Sequence, residues 1–203
     1  FANCGLPYHV GGVIKDRDDL LLQTPESLAA RFALDVRVRH EVVGIDTTAQ
    51  TVEVRDIEHD RMYTEHYDSL VLSPGARPVR PPIPGIERAL TLRDIEDTDA
   101  MIAALDDKVD KVGTAVIIGG GFIGLEMAEN LVHRGLRVAV VELADQVLAP
   151  LDPEMAAIVA ARLAERRVTV VTGAQVTSYD GAVAILSDGS TLPADLMVAA
   201  IGV

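Results

Sequence analysis

The sequence predicts an α/β fold in which short buried strands alternate with helices, and three observations predict it. An apolar, β-branched run at 115–118 leads directly into Gly119-Gly120-Gly121-Phe122-Ile123-Gly124. Helical periodicity then fills 125–134, with Gly124, Ala128 and Leu131 or Val132 on one face, before Gly135 supplies a stop. A second apolar run at 136–141 ends on Glu142. Strand, glycine turn, helix, strand and terminal acid in that order make a Rossmann-like three-layer nucleotide-binding domain.

Each residue type in the turn has a physical task. Gly119 lets the chain leave the strand sharply, and Gly121 has no side chain to keep a pyrophosphate from the N–H groups at the helix start. Phe122 and Ile123 complete the motif, and Gly124 lets the helix lie close on the strand. Glu142, about twenty residues on, stands where it can accept hydrogen bonds from an adenosine ribose. Alone, G-x-G-x-x-G could be a tight strand–helix turn; the whole unit in register points to dinucleotide binding. Asp145 follows closely and 143–151 contains no Arg or Lys, so a 2′-phosphate would meet like charge. NADH is therefore expected over NADPH.

The remaining elements follow in order. The segment 1–13 holds the lone cysteine, Cys4, with Pro7 placed for the first turn of a helix. A thiol at a helix N-terminus has its thiolate stabilised, whereas a buried thiol is only packing. Composition leaves both open for Cys4, and leaves His9 as a site contact or, more simply, a surface or capping residue. A helix is expected within 20–32, with Thr24 as N-cap and Pro25 at N1. A strand at 36–38 and three antiparallel strands at 42–45, 51–54 and 62–67 come next. The run 67–76 reads as a further apolar strand ending in small residues, where a ligand could approach the backbone. Five of the ten prolines lie between Pro74 and Pro84, a stiff connector. We expect a domain division near 92/93: residues 1–92 with the cysteine, and 93–203 with the glycine motif. A helix at 92–105 starts near Asp94 or Asp97. After Glu142, Asp152 as N-cap and Pro153 at N1 open a helix to Arg166, and a strand at 168–171 follows. A β-meander at 176–186 turns at Asp188-Gly189, and a buried strand at 196–201 ends at Gly202.

Composition narrows the function classes. The 203 residues are 49% hydrophobic and only 3% aromatic, with no Trp, so the core is aliphatic. With 18 Lys and Arg against 31 Asp and Glu, the formal charge of −13 argues against nucleic acid and anionic membrane as partners. No apolar run approaches the roughly 20 residues that cross a bilayer. One cysteine excludes an internal disulfide framework, no signal peptide is present, and a reducing cytoplasm is the expected compartment. His40, His59 and His66 lack metal-ligand spacing, so no metal is assigned. The chain begins at Phe1 and stops just after an apolar strand, and it reads as a fragment of a longer protein.

Two stretches together resemble the flavin-dependent pyridine nucleotide–disulfide oxidoreductase family: GGGFIGLEMAEN, its nicotinamide-nucleotide motif, and YDSLVLSPGARPVRPPIPG, similar to its second flavin motif. FANCGLPYHVGG is similar to the single-cysteine active site of coenzyme A disulfide reductases and NADH-dependent persulfide reductases; similar NADH oxidases and peroxidases share the lone cysteine. The C-x-x-x-x-C of glutathione-type reductases is absent, because His9 stands at the second position. The resemblance implies that Cys4 faces a flavin and cycles between thiolate and a mixed disulfide or sulfenic acid. It places Val42, Val43, Ser73 and Gly75 against FAD, Glu126 beside the nicotinamide, and Gly202 at the end of the strand next to it. It also implies that residues 1–92 are an incomplete FAD-binding domain, whose pyrophosphate motif precedes Phe1, that 93–203 are the NAD(H)-binding domain, and that a dimerisation domain follows Val203. The fragment is then expected to bind NADH but hold FAD poorly, with a homodimeric parent acting on a small thiol, disulfide or persulfide such as that of coenzyme A. One rival is an NADH oxidase or peroxidase in which Cys4 forms a sulfenic acid with oxygen or peroxide; a rival of another class is a non-catalytic NAD-binding module.

Overall fold

A computed structural model describes residues 1–106 and 113–202. In chain order the elements are α1 (Leu6–Val10), α2 (Pro25–Phe32), β1 (His40–Asp46), β2 (Thr51–Asp56), β3 (Arg61–His66), α3 (Ile95–Asp106), β4 (Thr114–Ile118), α4 (Phe122–His133), β5 (Arg137–Val141), α5 (Pro153–Glu165), β6 (Thr169–Val171), β7 (Val176–Tyr179), β8 (Val183–Leu186), β9 (Thr191–Pro193) and β10 (Leu196–Ala199). Two compact units divide them: Phe1–Leu21 with Ala76–Val203, and Leu22–Gly75. The Cys4 segment thus packs with the glycine motif. The expected division at 92/93, drawn by cofactor, is a different question from this division by packing.

In the larger unit a parallel sheet of order β10-β4-β5-β6 forms the middle layer. Every residue of β4 is buried, because alternate side chains feed two cores. Ala115 and Ile117 meet Val10 of α1, Met101 of α3 and Met127 and Leu131 of α4 on one face. Val116 and Ile118 meet the β7-β8-β9 meander on the other, with Val176, Ala184 and Leu186. This gives the three layers that the strand–helix alternation predicts. Asp94 opens α3 by accepting from the Asp97 N–H (2.9 Å), and Asp97 in turn accepts from the Arg93 N–H (2.8 Å). Pro153 sits in the first turn of α5 as expected, but the Asp152 side chain makes no capping bond; its carbonyl accepts from Met155 and Ala156 instead. The meander turns at Gly189 (φ +83°), with Asp188 accepting from Ser190.

The proline connector is fastened to this unit. Tyr179 N–H donates to the Pro84 carbonyl (2.9 Å), and Leu90 exchanges hydrogen bonds with Met197 and Ala199, extending the sheet beyond β10. Gly85, at φ +87°, presses so closely that a Cβ there would fall 1.6 Å from the Tyr179 carbonyl oxygen.

The smaller unit is a β1-β2-β3 antiparallel sheet with α2. Thr24 caps α2 through a reciprocal bond with Ser27, and Pro25 lies in its first turn. Two expected strands are corrected here. Residues 36–38 and 67–76 form no strand, and Leu70, Val71 and Leu72 are exposed. Apolar, β-branched composition gives a segment the tendency to extend, but a strand also needs a hydrogen-bonded neighbour. No strand lies beside 67–76 among the described residues.

Gly85→Ala adds a Cβ where the backbone of β7 already lies, at a dihedral angle that L side chains rarely adopt. It should destabilise the chain by about 2–4 kcal/mol, read as a lower urea midpoint at an unchanged m-value.

Candidate functional site

The site is built at the carboxyl ends of β4, β5 and β10, where parallel sheets bind their ligands. Gly119 leaves β4 at φ +103°, and a Cβ there would fall 2.4 Å from the Ala200 carbonyl oxygen. Only glycine satisfies both conditions. Gly124 is constrained by contact alone, since its Cβ would fall 2.0 Å from the Gly119 carbonyl oxygen. Gly121 differs from both: nothing lies within 4 Å of where its Cβ would be. The space in front of it is open, and it is the N-cap of α4, which no side chain caps. The first-turn N–H groups of Phe122, Ile123 and Gly124 are thus available to an anion at the positive end of the helix dipole. A nicotinamide dinucleotide fits these residues: the open cradle takes the pyrophosphate, and the exposed Phe122, Ile123 and Leu143 offer apolar surface around it.

Glu142 does more than its position in the sequence predicts. Its Oε2 accepts from the Gly120 N–H (2.6 Å) and its Oε1 from the Ala144 N–H (2.8 Å). The carboxylate ties the glycine turn to the end of β5. A carboxylate has about four acceptor positions, so two remain for ribose hydroxyls.

Glu126, one turn into α4, is half-buried on the wall of a cavity of about 930 Å³ that also includes Tyr8, Val13 and Phe122. Burial first, and the charge of Glu129 second, push its carboxyl above the ordinary glutamate value. It therefore holds a proton to higher pH than an exposed glutamate. Gly202, at φ +112°, follows β10, and its carbonyl accepts from the Val79 N–H (2.9 Å).

Cys4 lies on a short 3-10 turn, Asn3–Gly5, immediately before α1. Its thiol is exposed and unbridged. The buried, merely structural alternative left open by composition does not hold. Pro7 lies in the first turn of α1, and Leu6, Pro7, His9 and Val10 are buried, so the helix is anchored while the residue preceding it by two stays accessible. His9 is neither exposed nor a helix cap: it is buried, and its Nδ1 donates to the Ile14 carbonyl (2.8 Å), which ties down the chain after α1. In the smaller unit Val42 and Val43 are exposed on β1, where the pairing with β2 slips between Val42 and Gly44. Ser73 and Gly75 are exposed in an irregular run, with Gly75 at φ +72°. These four positions are thus open to a ligand. Among the described residues no His, Cys, Asp and Glu group could hold a metal, and no helix is long and apolar enough to cross a membrane.

One close contact is not visible in the sequence. Gly11, at the C-cap of α1, lies against the buried Asn130 of α4. The signal was the Gly11-Gly12 pair, which reads as a helix stop and gives no partner.

The family model for pyridine nucleotide-disulphide oxidoreductases matches residues 1–203. The chain belongs to that family. It is 32% identical to a coenzyme A disulfide reductase of Staphylococcus aureus (strain JH9), over all of this chain and 45% of the relative, so it spans about half of that protein. Reduced Bacillus anthracis CoADR-RHD superposes with a TM-score of 0.94 at 47% identity, covering 100% of this chain and 37% of that one. A NAD-dependent persulfide reductase from A. fulgidus superposes at 0.90 with 34% identity, covering 99% and 39%.

Replacing Glu126 by Gln removes a carboxylate that folding disfavours. Because the folded value is raised, the contribution is fully present below the ordinary glutamate value and is lost as pH rises through the folded one. Glu126→Gln should therefore melt higher than the parent chain at pH 7–8 and match it near pH 4, measured by thermal melts across that range.

Proposed function

We propose that this chain is the nucleotide-binding and thiol-bearing part of a flavoprotein that passes electrons from NADH, through FAD, to Cys4, which reduces a coenzyme A disulfide or persulfide. The observation that carries the reading is an exposed lone thiol on the turn that leads into α1, the short helix packed against α4, whose first turn forms the dinucleotide cradle. The likeness to a coenzyme A disulfide reductase and to a persulfide reductase supports the substrate class.

Each residue then has a task. Gly121 and the first turn of α4 bind the dinucleotide pyrophosphate, and Glu142 takes the adenosine ribose. Glu126 presents a protonatable carboxyl near the nicotinamide. Gly202 ends the neighbouring strand. Val42, Val43, Ser73 and Gly75 would hold FAD, which when bound supplies two-electron transfer between nicotinamide and sulfur. The Cys4 thiolate attacks one sulfur of the substrate, forming a mixed disulfide and releasing the other sulfur as a thiolate. Two electrons then cleave that mixed disulfide, returning Cys4 to thiolate and freeing the second thiol. The protein acts on soluble small molecules in a reducing cytoplasm, as a homodimer in its full length.

NADH is the reductant, because Glu142 and the exposed Asp145 leave no cation for a 2′-phosphate. The likeness to a NAD-dependent reductase agrees. Fluorescence titration of the 203-residue chain should show NADH binding at least tenfold tighter than NADPH, and Glu142→Ala should narrow that ratio mainly by weakening NADH. Equal affinities in the unaltered chain would refute this assignment.

Cys4→Ser in the full-length protein should abolish turnover of coenzyme A disulfide and persulfide, by at least 10³-fold on the scale of a lost nucleophile, and leave NADH affinity within about twofold. Retained turnover would remove Cys4 from the reaction. Turnover confined to peroxide or oxygen would mark a sulfenic-acid oxidase instead. NADH binding without reduction of any acceptor would mark a nucleotide-binding module.

A further inference from the structure

The α1–α4 contact is closer than packing of two ordinary helices permits. At Gly11 a Cβ would fall 2.0 Å from Asn130 Oδ1, 2.8 Å from its Cγ and 2.9 Å from its Cβ. The Gly11 backbone is ordinary right-handed helix, φ −69° and ψ −12°, so no dihedral angle demands glycine here. Contact alone does. Asn130 is 2% exposed, and its Nδ2 donates to the Glu126 carbonyl (2.8 Å), which holds the amide in place. Rotating that amide would clear Oδ1 but not Cβ, which is fixed to the α4 backbone. Around the contact, Val10 packs in one core with Met127 and Leu131.

The two helices joined in this way carry the two ends of the proposed electron path. Cys4 precedes α1 by two residues, and Glu126 lies one turn before Asn130. We propose that Asn130 is a positioning residue, and that its seat on Gly11 sets the spacing between the Cys4 helix and the helix that forms the dinucleotide cradle. This rests on Cys4 being the redox sulfur. Any side chain at position 11 must move α1 off α4 by something on the order of 0.5–1 Å, the difference between the crowded contact and a normal one. Displacements of that size are costly for reacting groups that must meet in one geometry.

The test uses the single native thiol. A nitroxide on Cys4 and a second on Arg137→Cys, at the exposed start of β5, report the position of the Cys4 helix by pulsed electron resonance. Gly11→Ala should shift or broaden the distance distribution, and Gly11→Ala with Asn130→Gly, which removes the fixed Cβ as well, should restore it. In the full-length protein Gly11→Ala should lower kcat with coenzyme A disulfide at least tenfold while KM for NADH stays within twofold, and the double variant should recover most of the loss. Should Gly11→Ala not fold, Asn130→Ala alone must broaden the distribution, because α1 then loses its seat. Unchanged distances in Gly11→Ala, or a double variant no better than the single one, would overturn the proposal. Cys4→Ser separates this from the functional reading: if it retains disulfide turnover, Cys4 is not the redox sulfur, whereas the label distances still report the interlock.

Discussion

Two backbone amides, those of Gly120 and Ala144, share the carboxylate of Glu142, and the ligand-binding end of the sheet depends on that arrangement. Without it the glycine turn would be held to β5 chiefly by the Gly119–Val141 hydrogen bond. With it the turn is fixed on both sides, and the N-terminus of α4 is directed at open space in front of Gly121. The acid proposed to discriminate between dinucleotides therefore also shapes the glycine turn. Hydrogen bonds to a charged acceptor are stronger than neutral ones, which suits a turn that must keep its form while its ligand comes and goes.

From that anchored turn, order passes outward by close contact. Gly124 allows α4 to lie on the Gly119 carbonyl, and Gly11 allows α1 to lie on Asn130. Both glycines act by having no Cβ, yet they join different pairs of elements. One brings the cradle onto the sheet, and the other brings the cysteine helix onto the cradle helix. The exposed thiol thus sits on the turn just before a short helix that is itself buried at Leu6, Pro7, His9 and Val10. A five-residue helix has little stability of its own, so its position is set by packing against α3 and α4.

The smaller unit shows the opposite condition. None of the α2 residues is buried, and Val42, Val43, Val71 and Leu72 are exposed. Its order comes from local devices: the Thr24–Ser27 cap, the antiparallel pairing of β2 with β1 and β3, and a contact in which Arg37 Nε and Nη2 both donate to Asp35 Oδ2. Local devices fix elements but leave apolar faces uncovered, and these are the faces that the family resemblance sets against a flavin.

By itself the sequence determined the parallel α/β core, the glycine turn, the C-terminal ends of α4 and β5, and the acid at Glu142, because each is written in a local pattern of apolar period or turn residue. It also carried the three strands of the smaller unit and the meander turn at Asp188-Gly189. Tertiary structure decided the rest. Residues 67–72 have a strand's composition and no strand's partner; Asp152 has a cap's position and no cap's bond; Glu142, placed by the sequence for a ligand, accepts from two backbone amides. Above all, Gly11 and Asn130 lie far apart in the chain and meet only once α1 is seated on α4. Pairing and contact depend on what lies across the gap, and a single stretch of sequence does not contain its neighbour.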